Sequence, residues 1–159
     1  MIIRPIIKND DQAVAQLIRQ SLRAYDLDKP DTAYSDPHLD HLTSYYEKIE
    51  KSGFFVIEER DEIIGCGGFG PLKNLIAEMQ KVYIAERFRG KGLATDLVKM
   101  IEVEARKIGY RQLYLETAST LSRATAVYKH MGYCALSQPI ANDQGHTAMD
   151  IWMIKDFIS

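Results

Sequence analysis

"KVYIAERFRGKGLATDLVKM", residues Lys81 to Met100, changes character twice along its length. It opens on the apolar run "KVYIA", passes through "RFRGKG" with three cations and two glycines, and continues as an amphipathic stretch. From Leu93 to Ile108 the apolar residues Leu93, Leu97, Val98, Ile101, Ala105 and Ile108 make one stripe at helical spacing, and Gly109 suits the C-cap. The local order is therefore strand, loop, helix. A helix N-terminus carries unpaired backbone N–H groups and about half a positive charge. Gly90 and Gly92 have no Cβ to keep a bulky anion away from those amides. Arg87, Arg89 and Lys91 add attraction at longer range, and Lys81 can join them. Such a nest suits a pyrophosphate. "RGKG" alone is also compatible with a solvated basic loop whose glycines only turn the chain.

The flanking elements alternate. "MIIRPII" reads as a short strand, and Asn9 or Asp10 can cap a helix running to about Ala24, with Val14, Leu17, Ile18 and Leu22 on its apolar side. "YDLDKPDTAYSDP" is a turn-rich acidic loop. Asp36 and Pro37 form an N-cap and first-turn pair for a second helix ending near Ser52 and Gly53. "FFVIEE", "RDE" and "IIGCGGFG" predict a hairpin with Asp61 and Glu62 at its turn. "AEMQKVYI" and "QLYLET" are strands. "SRATAVYKHM" is a short helix stopped by Gly132, and two final strands flank the loop "QPIANDQGHT". The fold class is α/β, a mixed sheet with helices packed on it. No linker, repeat or low-complexity segment interrupts the 159 residues, so residues 1–159 are expected to form a single domain.

Composition excludes several functions. A hydrophobic fraction of 46% with 26% charged residues is ordinary for a soluble globular protein. The formal net charge of -2 argues against a general nucleic-acid binder, so the basic cluster is local. No apolar run is long enough to span a membrane, and Arg4 and Pro5 break the start where a signal sequence would need its apolar core. Cys66 and Cys134 are widely spaced and read as reduced structural thiols, which fits a cytoplasmic location. His38 and His41, with Asp40 between them, lack a third ligand at metal spacing and read as part of a capped surface helix rather than zinc. His130 is expected in solvent and His146 in a loop. Thr117 and Ser119 either face a cofactor or start the next turn. No Ser–His–Asp arrangement is present to argue from.

Gly65, Gly67 and Gly70 match the dinucleotide fingerprint G-x-G-x-x-G, and Leu72, Leu75, Ile76 and Met79 behind them even have helical spacing. The fingerprint needs a helix and a second strand before its acidic ribose ligand. Between Pro71 and Glu86 there is room for one element. These glycines are better read as marking a strand where another backbone or a ligand comes close. A nicotinamide-dependent oxidoreductase is accordingly a lesser reading.

"RFRGKG" has the R-x-x-G-x-G pattern of the GNAT superfamily of acetyl-CoA-dependent acetyltransferases. The whole segment "AEMQKVYIAERFRGKGLATDLVKMIEVEARKIGYRQLYLET" resembles that family's central strand–loop–helix–strand. "ATAVYKHMGY" resembles its downstream helix, in which a tyrosine precedes a glycine–aromatic pair. The likeness runs from about Ile63 to Tyr133, and the preceding order of two helices and two strands agrees with it. One position departs: many members carry Asn seven residues before the tyrosine, where this chain has Leu121.

The resemblance implies a central mixed sheet with helices on both faces and two strands splayed at the cofactor site. It implies that amides from Arg89 through Gly90, Lys91, Gly92 and Leu93 to Ala94 wrap the pyrophosphate of coenzyme A, with Arg87 beside them. It also implies that the strand at Val82, Tyr83 and Ile84 offers main-chain groups to the pantetheine arm. The activity implied is transfer of an acetyl group from acetyl-CoA to a primary amine in a ternary complex, with no metal. Such a reaction needs a deprotonated amine, a polarised thioester carbonyl and a proton for the departing thiolate. Glu78 is the candidate base, or else an outward strand carboxylate paired with Lys81 or another neighbour. Tyr128 is the candidate acid, or else a core aromatic. A backbone N–H between Val82 and Ile84 is the candidate oxyanion donor. The acceptor is expected to be a small molecule or a protein amine, with a homodimer as a candidate assembly. The rival from another class is a catalytically idle acyl-CoA sensor with the same fold.

Overall fold

The computed structural model describes residues 1–140 and 148–157. Strand β1 (Ile2–Pro5) leads through a short 3-10 turn at Lys8–Asp10 into helix α1 (Asp11–Ala24). Short turns and the brief helix α2 (Leu42–Glu47) follow, then β2 (Gly53–Glu59), β3 (Glu62–Lys73) and β4 (Ile76–Ile84). Helix α3 (Leu93–Ile108) carries the chain to β5 (Gln112–Thr117), and α4 (Ser122–His130) precedes β6 (Cys134–Leu136) and β7 (Ile151–Asp156). Among the described residues the strands make one sheet in the order β1-β2-β3-β4-β5-β7-β6. Every neighbouring pair is antiparallel except β4 and β5. That parallel pair needs a crossover, which α3 supplies.

Alternation along the strands, interrupted on β3 by a bulge at Ile64, divides the apolar residues between two cores. Phe54, Val56 and Cys66 pack with Val14, Ile18 and Leu22 of α1 and with Leu42 and Tyr46 of α2. Phe55, Ile57 and Ile64 point the other way, onto Leu97, Val98 and Ile101 of α3 and Tyr128 of α4. Helices thus cover both faces of the sheet, as the resemblance implies.

The boundaries bring corrections. The hairpin turns at Arg60 and Asp61, with φ of 50° and 64°, so Glu62 already belongs to β3. Two consecutive left-handed residues are what a tight hairpin between right-twisted strands requires. The expected long second helix is replaced by a 3-10 turn at Leu39–His41 and the six-residue α2. The N-cap positions fall to His38 and His41 rather than Asp36, whose carboxylate lies 3.0 Å from the Lys81 ammonium. Asp10 bonds back to the Ile7 amide at 2.8 Å and to Arg4, holding β1 against α1. The fingerprint-like glycines lie on β3, where a Cβ on Gly65 would come 2.9 Å from Ile57 and Ile84, and one on Gly67 2.9 Å from Val82. Gly65 and Gly67 are close-packing glycines, whereas a Cβ on Gly70 would meet only ordinary contact with Gln80 at 3.6 Å. Most of the loop "QPIANDQGHT", including His146, falls outside the described residues.

Candidate active site

β4 and β5 pair from Ile76 and Gln112 to Glu78 and Tyr114 and then part, although each continues beyond that point. The cause lies on the other edge of β4. Its register against β3 slips between Gln80, opposite Gly68, and Tyr83, opposite Cys66. Lys81 sits inside this bulge with φ +56°. A bulge bends its strand, and here it bends β4 away from β5. Behind the parting lies a cleft of about 350 Å³ that reaches Val82 and Ile84 on β4, Gly90 and Gly92 in the loop, and Tyr128 on α4.

At the far end of the cleft the glycine loop enters α3. Gly90 and Gly92 have φ of 78° and 80°, the left-handed region that side chains resist, and an added Cβ on either would meet nothing within 4 Å. Conformation, with open space in front of it, explains both glycines. No side chain caps α3, so its first amides keep their donors at the cleft. The cations behave less uniformly than the sequence suggests. Arg87 pairs with Glu62 and lies over the Phe88 ring. Arg89 braces the loop: its Nε donates to the Ile84 carbonyl at 2.9 Å and a terminal nitrogen to the Tyr25 hydroxyl at 3.3 Å. Lys91 reaches over Phe88. Lys81 does not join them; its side chain is 1% exposed and faces Asp36.

Glu78 is buried at 5% exposure, so it is not an outward strand carboxylate, and Lys81 is paired with Asp36 instead. Glu78 accepts a hydrogen bond from Gln80 Nε2 at 2.9 Å, and Gln80 Oε1 accepts one from the Tyr46 hydroxyl at 2.6 Å. Burial keeps that Tyr46 phenol protonated, well above its ordinary range. Glu78, Gln80, Lys81 and Glu116 bound a second cavity of about 60 Å³. Tyr128 lies in the large cleft, edge-on to Tyr133, and burial pushes its phenol up to about 12. Tyr133 is fixed in turn, donating to Glu102 at 2.7 Å, with Lys155 on the same carboxylate at 3.1 Å.

Several other candidates have partners within the fold. His38 stacks on Tyr45 at 3.7 Å and stands 3.6 Å from Asp36, while Asp40 is held by Arg19 at 2.7 Å. Among the described residues no three His, Cys, Asp or Glu side chains converge as a metal site. Ser119 donates twice to Asp150, each at 2.7 Å, and so fixes a turn. Leu121 lines the cleft with an apolar side chain, and its carbonyl accepts from Thr125. Sequence reasoning missed Gln80, Glu116 and the side chain of Tyr83. Strand alternation from Glu78 could have found Gln80; Glu116 arrives from the neighbouring strand β5, far along the chain.

Residues 19–133 match the acetyltransferase (GNAT) family. The uncharacterized N-acetyltransferase YjgM of Escherichia coli K12 is 34% identical over 98% of this chain and 94% of its own length. The uncharacterized N-acetyltransferase YsnE of Bacillus subtilis is 30% identical, over 94% of this chain and 97% of its own. A GNAT-family acetyltransferase from Staphylococcus aureus Mu50 has the same fold, with a TM-score of 0.86 at 14% identity over 98% of both chains. So does an aminoglycoside 6'-N-acetyltransferase solved with coenzyme A, with a TM-score of 0.75 at 18% identity over all of this chain and 98% of its own.

Proposed function

This chain belongs to the acetyltransferase (GNAT) family and is an acetyl-CoA-dependent acyltransferase, and from that premise we propose that it passes the acetyl group directly to a primary amine bound beside the cofactor. The observation that carries this reading is the parting of β4 from β5 beyond Glu78 and Tyr114, which opens a cleft between a glycine loop and Tyr128. In this reading coenzyme A lies along the cleft. Its pyrophosphate meets the amides from Arg89 to Ala94, where two left-handed glycines and the α3 N-terminus leave donors at an open surface. Its pantetheine arm follows the main chain of Val82, Tyr83 and Ile84 as an added strand, using groups that β5 leaves unclaimed.

The chemistry follows the protons. A primary ammonium, with an ordinary pKa of about 10.4, gives one proton to Glu78, directly or through water. The neutral amine attacks the thioester carbonyl, the C–N bond forms, and the oxyanion is held by a backbone N–H of the Val82–Ile84 segment. The C–S bond then breaks. A second proton leaves the nitrogen and the sulfur receives one. With its phenol near 12, Tyr128 keeps its proton at neutral pH and stands ready as donor. A thiol near 8.5 is the stronger acid by roughly 3.5 units, so outright transfer to the thiolate is uphill by about 5 kcal/mol. Tyr128 therefore donates a hydrogen bond as charge builds on sulfur and relays a proton only as it receives one.

The acceptor is proposed to be cationic and small, since Glu78 and Glu116 border the inner cavity while Lys81 is neutralised by Asp36. Two measurements test the reading. Acetyl-CoA at ~100 times its Kd should stabilise the fold by about 2.7 kcal/mol, and Gly92→Glu, if folded, should remove that shift. A panel of primary amines should release free thiol from acetyl-CoA. No shift and no release would reject the proposal.

A further inference from the structure

Tyr83 is the one described residue that lines both the large cleft and the inner cavity. Its main chain belongs to the splayed end of β4, beside the bulge at Lys81. Its ring packs toward the core between the sheet and α1, so it stands as a fixed wall and not as a surface flap. On one side is the cleft with Tyr128; on the other are Glu78 and Glu116. Its hydroxyl has no protein hydrogen-bond partner among the described residues, unlike Tyr46, Tyr114 and Tyr133, whose hydroxyls are all engaged. Burial holds that phenol protonated well above its ordinary range, and the Asp36 carboxylate acts in the same direction. A neutral phenol keeps both a donor and an acceptor.

An amine activated at Glu78 must reach a thioester in the cleft, and the boundary it crosses is Tyr83. We infer that Tyr83 is the acceptor-positioning residue: its hydroxyl accepts a hydrogen bond from the incoming amine, and its ring limits the bulk of the acceptor. This rests on the proposed acetyl transfer and adds which side chain aims the nucleophile. The main-chain contacts of β4 to the cofactor are unaffected by the side chain, which makes the two roles separable.

The experiment uses Tyr83→Phe and Tyr83→Ala with ethylamine, 1,3-diaminopropane and benzylamine as acceptors, read by thiol release. Tyr83→Phe should lower kcat/KM for the best of these amines about 3- to 10-fold, the range for one neutral hydrogen bond, with the KM for acetyl-CoA and the acetyl-CoA melting shift unchanged. Tyr83→Ala should in addition raise the benzylamine-to-ethylamine ratio of kcat/KM at least about tenfold, as removal of the wall requires. A merely structural tyrosine would move the acetyl-CoA terms as well. If wild type turns over amines and Tyr83→Phe equals it, or Tyr83→Ala leaves the ratio unchanged, the inference is overturned and acetyl transfer stands. If wild type releases no thiol with any amine, acetyl transfer falls and the inference with it.

Discussion

Tyr128 is asked both to fill a core and to serve the reaction, and one atom separates the two. Its ring meets Tyr133 edge-on and its side chain belongs to the α3 core, while the residue also lines the cleft. Tyr128→Phe keeps the ring, so stability and acetyl-CoA affinity should stay within about 0.5 kcal/mol of wild type. kcat should fall by ~10² or more. A variant with wild-type kcat would leave Tyr128 as a packing residue only. Asp10 makes a different single-residue prediction. Burial alone would raise its carboxyl, but two bonds from Arg4 and one from the Ile7 amide outweigh burial and hold it below the ordinary carboxylate value. A depressed folded pKa stabilises the fold above the unfolded value of about 4 and loses that contribution as pH falls through the lower folded value. The melting-temperature gap between wild type and Asp10→Asn should therefore shrink as pH drops from about 5 toward 2. A gap that stays constant over this range would remove Asp10 from the acid-sensitive terms.

At the scale of elements, what could be read from sequence was what short-range chemistry dictates. The stripe from Leu93 to Ile108 ends at Gly109 because that residue takes φ +116°, and "QLYLET" forms β5 residue for residue. Gly90 and Gly92 stood out in the sequence for their missing Cβ atoms, and the structure adds the left-handed backbone that requires them. The segment before β2 was not legible. Asp36 looks like a cap until Lys81 arrives from a strand far along the chain to claim it. Lys81 looked like part of the anion nest until a bulge turned it to the opposite side. Tertiary partners decide both cases. They also temper the acidic loop: Asp36 is taken up by Lys81 and Asp40 by Arg19, which weakens the net negative field of its five aspartates against Lys29. If that field draws the acceptor, cationic amines should outcompete acidic amino acids. The preference should shrink toward 1 M salt, where the Debye length is about 3 Å, and in an Asp28→Asn, Asp31→Asn double variant. A salt-insensitive preference for an anionic acceptor would leave the loop as scaffold.

Across the whole molecule, the sheet holds α1 on one face and α3 with Tyr128 on the other, and the parting of β4 and β5 lets a ligand reach between them. Cofactor loop, candidate base and candidate donor come from three separate elements: the loop and the donor border the cleft, and the base borders the cavity on the other side of Tyr83. The account therefore stands on the two substrates meeting there at the same time. Initial rates of thiol release, with acetyl-CoA and amine varied against each other, test this most directly. A ternary complex predicts double-reciprocal lines that intersect, with one acetylated amine formed per thiol released. Parallel lines would require an acetylated enzyme and contradict direct transfer, and a melting shift with acetyl-CoA but no thiol release would make the protein a sensor and not a catalyst.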